Sequence, residues 1–266
     1  MGDSRMRRDD LPMRKIIAFF GAAFAILALL TAAVAPAAAD SVSPDAPQPA
    51  RPILLELFTS QGCSSCPPAD ALLGELAERP EILALSYHVD YWDDLGWVDR
   101  LASPDNTHRQ QAYSSRHGFE LYTPQLVVDG QADAVGSDRS AVVRAIAHAA
   151  IAAVGAPASI RRDGAAADIA LGTVPGTSAE AGIYLLSFDP VLETAVHAGE
   201  NGGRKLQSTN VVRSRRRIGE WHNQAIALSE PLRPGETGSR LAVIVQDRAD
   251  RVWSAAATPT VPPPKS

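Results

Sequence analysis

The sequence predicts an α/β domain over residues 53–154, followed by a mostly antiparallel, sandwich-like β domain over residues 158–258. In the first region, apolar runs of strand length alternate with segments whose apolar residues have helical spacing, which is typical of α/β domains. In the second region, turn signals separate short apolar runs with no helical segment between them, which favours antiparallel strands.

Residues 1–39 have the pattern of a secretory signal peptide. Arg14 and Lys15 precede an apolar stretch from Ile16 to Ala35, and three small residues, 37–39, follow before Asp40. A membrane anchor is the alternative, since about 20 apolar residues span a bilayer. Because alanine dominates the second half of the stretch, we expect cleavage and a periplasmic or secreted protein. An uncleaved signal segment is then the only membrane attachment that we predict.

The chain that remains is acidic and contains few cysteines. The first 39 residues carry five basic and three acidic residues, so their removal changes the net charge from −5 to −7. This charge argues against a nucleic-acid partner. About 225 residues can bury a core without cross-links, so the two cysteines are not needed as general staples. Residues 40–52 contain four prolines and predict an extended linker.

Each element of the first domain follows from a local pattern. Its first two strands are nearly continuous in apolar residues, as expected for strands buried on both faces. Pro67 fits the first turn of a helix, Ser103 or Asp105 can cap the second helix, and Ser137 the third. Asp129-Gly130 is a hairpin-turn signal. The predicted strands are 53–58, 82–88, 126–128 and 132–135, and the predicted helices begin at Pro67 and span about 105–116 and 139–153.

The second domain has strand and turn patterns but no obvious catalytic set. Glu200-Asn201 is interpreted as either a polar turn or a functional loop against the first domain. Arg213 and the run 215–217 could form an anion site, but a solvated strand face is favoured. Residues 259–266 predict a loose tail. The predicted strands are 183–188, 205–213, 225–228 and 241–246, with turns at Asn201-Gly202 and Pro234-Gly235.

The two cysteines, Cys63 and Cys66, are separated by two serines and lie between the first strand and the first helix. Two thiols at this spacing can perform thiol-disulfide exchange. The same spacing fits a structural disulfide, and with His88 it could hold copper or zinc. No second cysteine pair exists to complete a zinc site, so we assign no metal ligand and no cofactor.

The start of a helix favours a thiolate, because its unpaired N–H groups and dipole stabilise negative charge. Cys63 lies before the helix and is the predicted attacking sulfur, and Cys66 is the predicted resolving sulfur. Pro67 disfavours helical backbone angles at Cys66. We therefore expect Cys66 to be a cap residue and both sulfurs to be more exposed than in a reductase.

Several polar and aromatic residues are candidates for tuning or covering the pair. Glu56, on an apolar strand, is interpreted as a partnered or edge-facing carboxylate, with a proton relay to the resolving cysteine as the alternative. Asp90, Trp92 and Trp97 follow the second strand at the end nearest the cysteines and are candidates for a wall over the site, with ordinary loop packing equally open. For Arg109, a surface salt bridge is the favoured role.

The order of these elements over residues 52–154 resembles the thioredoxin fold. In thioredoxin-like proteins a cis-proline faces the cysteine pair, and Thr123-Pro124 occupies the corresponding place in the order. Thr123 and Pro124 at this place, together with Trp92 from the candidate wall, are the predicted substrate-binding residues. The isomer of the bond is left open, because most X-Pro bonds are trans.

A closer resemblance is to a family of exported bacterial, thioredoxin-like proteins classed as a domain of unknown function. It is carried by Glu56 to Asp70, which includes Cys63-Ser64-Ser65-Cys66-Pro67-Pro68, and by Tyr122-Thr123-Pro124-Gln125. Further matching segments are His88 to Trp92, Gly96-Trp97, Arg109-Gln110 with Tyr113, Gly199 to Asn201, and Asn210 to Arg213. This resemblance implies a fold and an exported location but no reaction.

The sequence thus predicts an exported thiol-disulfide exchange protein, with the direction of exchange open. Its predicted partner is a protein or small-molecule thiol or disulfide. Two alternatives remain: a copper or zinc binding module that uses the same cysteines, and a non-catalytic partner-binding protein with a structural disulfide.

Overall fold

The computed structural model describes residues 51–259. The predicted signal peptide, almost all of the linker and most of the predicted tail lie outside these residues. Within the part described, no helix is long and apolar enough to cross a membrane.

The described chain is a mixed α/β structure with eleven strands and three α-helices. In chain order they are β1 (Ile53–Thr59), α1 (Pro67–Ala77), β2 (Ile82–His88), α2 (Pro104–His117), β3 (Gln125–Val128), β4 (Ala132–Val135), α3 (Arg139–Ala152), β5 (Ala158–Asp163), β6 (Ala166–Leu171), β7 (Ala181–Ala195), β8 (Lys205–Trp221), β9 (Ile226–Pro231), β10 (Arg240–Gln246) and β11 (Val252–Ala257).

A large, mostly antiparallel sheet dominates the fold. Its eight strands lie in the order β11-β10-β7-β8-β2-β1-β3-β4, and a second sheet has the order β5-β6-β9. Within the large sheet, β1 pairs in parallel with β2 and β2 pairs in parallel with β8. The large sheet therefore contains strands from both predicted domains.

The long hairpin of β7 and β8 links the two halves. β8 meets β2 at one register position, Ser86 with Val211. Beside this pair, Asn210 has a φ of 49°, and its Nδ2 donates to the carbonyl of Ala84 at 2.8 Å. The preceding residue, Thr209, lies against α1, where its Oγ1 is 3.2 Å from the position that a Cβ on Gly74 would occupy. β8 therefore parts from β2 at Asn210 and lies against α1, while it stays paired with β7 as far as Lys205.

Three groups of buried side chains form the core. One lies between α1, α3 and one face of β1 to β3. A second covers the opposite face and combines residues of both halves, such as Phe58, Tyr87 and Phe188. The third lies between the small sheet and strands β7, β10 and β11 and includes Trp221. The second group has members on both sides of residues 155–157, where the sequence predicts the domain junction, so the two halves share a core.

Most elements of the first half match their predictions. Ser103 caps α2, since its Oγ accepts from the N–H of Asn106 at 3.3 Å. The β3–β4 turn has positive φ at Asp129 and Gly130, and a Cβ on Gly130 would lie 2.1 Å from the carbonyl oxygen of Asp250. The predicted cap of α3 is wrong: Asp138, not Ser137, accepts from the helix N–H groups.

The second half contains more strand than the sequence predicts. It is mostly antiparallel β, as expected, but β5, β6 and β11 have no counterpart among the predicted strands. β5 is largely polar, and β6 and β11 are rich in alanine, so none of them carries a strong apolar strand signal. β7 and β8 span 15 and 17 residues, because both continue well beyond their apolar runs.

Glu56 and Arg109 form a buried ion pair between β1 and α2. The Nε and Nη2 of Arg109 donate to the Glu56 carboxylate at 3.2 and 3.0 Å, and Tyr113 also donates to it. Burial opposes ionisation of Glu56, but the charge and hydrogen bonds of Arg109, helped by Arg215 and Tyr113, lower its pKa. Glu56 is thus partnered, as favoured above, whereas the prediction of a surface salt bridge at Arg109 is wrong because α2 packs over the sheet.

Arg109→Ala is expected to lower the free energy of unfolding by about 3–5 kcal/mol, because it leaves the Glu56 carboxylate buried without its cation. Denaturant unfolding measures the change. Arg100→Ala removes an exposed arginine and is the matched control, expected to change stability by about 0.5 kcal/mol or less. A loss for Arg109→Ala as small as that of the control would contradict the assigned pairing.

Candidate functional site

The cysteine pair lies in the loop between β1 and α1 and is closed as a disulfide. The Cα atoms of Cys63 and Cys66 are 5.5 Å apart. Both cysteines have 0% exposure, whereas Ser64 and Ser65 between them are exposed. The surface of this loop is therefore serine, and the sulfur atoms lie beneath it.

This burial corrects the expectation that the sulfurs are more exposed than in a reductase. Cys66 is the cap residue of α1, as predicted, and its carbonyl accepts from Ala69 and Asp70 N–H at 2.8 and 3.1 Å. Its backbone angles are helical, with φ −76° and ψ −38°, so Pro67 does not prevent that conformation. The backbone of this loop is bonded by a segment distant in sequence, which local rules cannot anticipate.

The tip of the β7–β8 hairpin, residues 196–204, contacts the disulfide loop. Asn201 is fully buried, and its Nδ2 donates to the carbonyls of Gln61 and Cys63 at 3.0 and 2.9 Å. The Oε2 of Glu200 accepts from the N–H of Ser64 at 3.1 Å. Glu200 and Asn201 thus lie in a loop against the first domain, as one of the two interpretations of these residues expected.

Two tryptophans lie beside the same loop. Trp97 Nε1 donates to Gln61 Oε1 at 3.0 Å, and Trp92 Nε1 donates to Thr123 Oγ1 at 2.9 Å. Trp92 also limits the space around Gly62, where an added Cβ would lie 3.2 Å from the Trp92 Cβ. Together these contacts place Trp92 and Trp97 as a wall along the disulfide loop.

Thr123 and Pro124 also lie near the pair. The peptide bond between them is cis. Ser65 Oγ lies 3.4 Å from the Cys63 sulfur and donates to the carbonyl of Thr123 at 3.5 Å. The structure thus brings the candidate substrate-binding residues Trp92, Thr123 and Pro124 to the edge of the disulfide loop.

A cluster of acidic and imidazole side chains adjoins the loop from inside the protein. His88 Nδ1 donates to Asp99 Oδ2 at 2.7 Å, and the same oxygen accepts from the N–H of Gln61 at 2.8 Å. Asp70 Oδ2 accepts from Thr59 at 3.2 Å. Asp70 Oδ1 and His88 Nε2 are buried and have no hydrogen-bond partner within residues 51–259. The cluster therefore holds two buried polar atoms that structural contacts do not use.

Burial raises the pKa of Asp70 from its usual 3.8 to about 7, although His88 and the Thr59 hydroxyl partly oppose the shift. Asp99 behaves differently. Burial also disfavours its charge, but the hydrogen bond and charge of His88, with the N–H groups of Gln61 and Leu101, lower its pKa. One carboxyl near the disulfide can thus exchange a proton near neutral pH while its neighbour stays ionised.

Sequence reasoning assigned no role to Asp70 or Asp99. The available signal for Asp70 is its spacing, because it follows Cys66 by four residues and so lies on the same face of α1. Asp99 comes from a loop and carries no such signal. Among residues 51–259, no group of three or more His, Cys, Asp and Glu side chains is arranged to hold a metal ion.

Comparisons with known proteins give a family and a shared fold. The model of a family described as protein of unknown function, DUF1223, matches residues 54–246. A crystal structure of an Agrobacterium tumefaciens protein has a TM-score of 0.68 and 29% identity, covering 79% of this chain and 95% of that chain. A hypothetical protein from Pyrococcus horikoshii matches at a TM-score of 0.20 and 12% identity, covering 39% and 85% of the two chains. No match was found among curated proteins.

Asp70→Asn is expected to stabilise the protein more at pH 8 than at pH 5. Between these values the native Asp70 carboxyl keeps its proton while the unfolded chain releases it, so wild-type stability falls as pH rises towards 7. The asparagine stays neutral at both pH values. The free energy of unfolding of Asp70→Asn relative to wild type should therefore be about 1–3 kcal/mol higher at pH 8 than at pH 5. Denaturant unfolding at both pH values measures it, with the exposed Asp105→Asn as control. The same pH dependence in wild type and Asp70→Asn would contradict the raised pKa.

Proposed function

We propose that this chain, which belongs to the DUF1223 family of proteins of unknown function, is an exported thiol-disulfide exchange protein that uses Cys63 and Cys66. The observation that carries the proposal is the pair of unpartnered buried atoms, Asp70 Oδ1 and His88 Nε2, beside a disulfide at a helix start. Buried polar atoms without partners destabilise a fold, so their presence indicates a role other than stability. Proton transfer during disulfide exchange is such a role.

The arrangement of residues 53–154 supports a thioredoxin-like unit. β1 lies between a parallel neighbour, β2, and an antiparallel one, β3, with β4 at the edge of the sheet. α1 and α3 pack on one face of this sheet, and α2 lies on the other. The cysteine loop follows β1, and the Thr123-Pro124 segment enters β3 beside it.

In the proposed exchange, the Cys63 thiolate attacks a partner disulfide and forms a mixed disulfide, which releases one partner thiolate. The Cys66 sulfur then attacks the Cys63 sulfur, which releases the second partner thiolate and closes the Cys63–Cys66 bond. Two electrons pass from the chain to the partner, and the reverse sequence oxidises a partner dithiol. The difference between the reduction potentials of the chain and of the partner determines the direction.

Asp70 is suited to manage the proton of Cys66. The thiol of Cys66 loses a proton when it attacks and regains one when the disulfide is reduced. Asp70 follows Cys66 by one helical turn, and its backbone N–H donates to the Cys66 carbonyl at 3.1 Å. With a pKa of about 7, its carboxyl can give or take that proton near neutral pH.

An exported location supports the exchange, because disulfides persist in oxidising compartments. The closed Cys63–Cys66 bond is consistent with such a compartment. The positively charged start, apolar stretch and small residues of the first 39 residues indicate the route of export.

The second candidate is a partner-binding protein in which the disulfide is a permanent clasp. The full burial of both sulfurs favours this alternative. Exchange requires the hairpin tip, residues 196–204, to move away, whereas a clasp requires nothing to move. The two candidates therefore differ in whether opening the tip exposes a disulfide that a partner can use.

Cys66→Ser tests the exchange directly. Without the resolving sulfur, Cys63 is expected to retain partners as mixed disulfides that non-reducing gels reveal and reductant releases. Cys63→Ser is the matched control, because it leaves one cysteine in the same loop. If Cys66→Ser retains no more partner than Cys63→Ser under exported conditions, the permanent clasp replaces the exchange proposal.

Asn201→Ala should make the disulfide react faster with a small thiol. The change removes two buried hydrogen bonds and leaves two carbonyls unpaired, which favours displacement of the tip by about 1–3 kcal/mol. Reduction by dithiothreitol should accelerate by about 5- to 100-fold.

The matched control is Asn223→Ala, because Asn223 anchors another loop by donating to the carbonyls of Val174 and Thr177. Its reduction rate should stay within about twofold of wild type, since those contacts are remote in sequence from the disulfide loop. Equal rates for Asn201→Ala and wild type would contradict the role of the tip as a cover.

A further inference from the structure

A large cleft lies apart from the disulfide loop, between α2 and strands β7, β8 and β10. Its volume is about 940 Å³, and neither the loop 60–66 nor the hairpin tip 196–204 contributes to its lining. Many of its side chains are charged or polar, including several arginines. The cleft therefore needs an explanation separate from the disulfide chemistry.

Arg215 on β8 lies in this cleft with unused hydrogen-bonding capacity. Its guanidinium stacks on the ring of Tyr184, with 3.7 Å between the guanidinium carbon and the ring centre. Its Nη2 donates to Gln246 Oε1 at 3.2 Å, but its buried Nε has no partner within residues 51–259. In the same range, no carboxylate oxygen lies within 4.0 Å of its nitrogens.

The neighbouring arginines of β8 are all paired. Arg213 lies 3.7 Å from Asp189, Arg216 binds Glu230 and Glu236, and Arg217 binds Glu220. The expectation that this run forms a solvated strand face is therefore wrong for Arg215 and Arg216, because both are partly buried. Arg215 differs from Arg216 in that it forms no direct ion pair with a carboxylate within residues 51–259.

Tyr87 supplies a second unused group in the same cleft. The residue is 1% exposed, and its hydroxyl is buried without a hydrogen-bond partner in the described range. A buried hydroxyl and a buried guanidinium N–H that lack acceptors destabilise the empty protein. An acceptor that enters the cleft from outside would remove both penalties.

The charges around Arg215 limit what such an acceptor can be. The lining contains six arginines, Arg215 among them, and five acidic residues, Asp250 among them, so its formal charge is +1 with the histidines neutral. Further carboxylates line the cleft, namely Asp105, Glu180, Glu220 and Asp247. One excess cation among these acids favours a monoanion and disfavours a phosphate dianion.

We propose that this cleft binds a small organic monocarboxylate. Arg215 presents planar N–H donors that match the two oxygens of a carboxylate, and Tyr87 adds a hydroxyl donor. The ring of Tyr184 stacks against the guanidinium and limits its movement. The polar lining suits a hydroxylated ligand body, so lactate and gluconate are suitable probes.

Two-dimensional NMR of the purified protein, titrated with lactate, gluconate and inorganic phosphate at low ionic strength, tests this proposal. At least one of the two carboxylates should give saturable shifts at millimolar concentration, and phosphate should bind about tenfold more weakly or not at all. The proposal is overturned if neither carboxylate saturates, or if phosphate binds as tightly as they do.

Arg215→Gln removes the charge and should weaken carboxylate binding by about tenfold or more. Tyr87→Phe keeps the ring and should weaken it several-fold. Arg217→Gln, which removes an exposed and paired arginine of the same strand, is the control and should bind like wild type. Binding by Arg215→Gln that equals the control overturns the proposal.

Stability without ligand distinguishes a binding residue from a structural one. If Arg215 serves a ligand, Arg215→Gln should have a Tm equal to or above that of wild type, because the change removes a buried N–H that has no partner within residues 51–259. A structural role predicts a lower Tm. A folded variant with an unchanged or raised Tm and lost binding supports the proposal, and a lowered Tm with retained binding overturns it.

Discussion

The bend of β8 at Asn210 determines how the two halves of the chain meet. Before the bend, β8 lies against α1; after it, β8 lies beside β2. A positive φ at Asn210 turns the strand, and its side-chain amide bonds the Ala84 carbonyl where regular strand pairing stops. Asparagine tolerates this backbone conformation better than other non-glycine residues, and it also supplies the donor. The hairpin thereby brings its tip against the disulfide loop, and β8 carries Arg215 in the cleft.

Local patterns predicted the elements that depend on local physics. Continuous apolar runs marked β1 and β2, Pro67 marked the start of α1, and Asp129-Gly130 marked the β3–β4 turn. In each case the determinant lies within a few residues of the element that it specifies. The second half was harder because β7 and β8 stabilise each other through pairing, and their polar outer portions carry no apolar signal of their own.

The candidate site shows the same division between local and distant determinants. The cysteine spacing, the helix start and the Thr123-Pro124 segment could be recognised from the sequence. The packing of the hairpin tip against the cysteine loop could not, because Asn201 bonds the Cys63 carbonyl across 138 positions of the chain. Arg109 was placed wrongly on the surface for a similar reason: its partner Glu56 is 53 residues away, and only the packing of α2 on the sheet brings them together.

Buried polar side chains of this fold are of two kinds: those that bond one another and hold elements together, and those with atoms that have no partner within residues 51–259. Glu56, Arg109 and Tyr113 are buried and fully engaged with one another, as expected of groups that hold elements together. Seven buried side-chain atoms within residues 51–259 have no partner, and four of them occur at two places: Asp70 and His88 near the disulfide, and Tyr87 and Arg215 in the cleft. Since most buried polar groups in native proteins are paired, such concentrations indicate sites where a proton or a ligand completes the set. Tyr87 and His88 are neighbours on β2, so their side chains point to opposite faces of the sheet, one towards the cleft and one towards the disulfide loop.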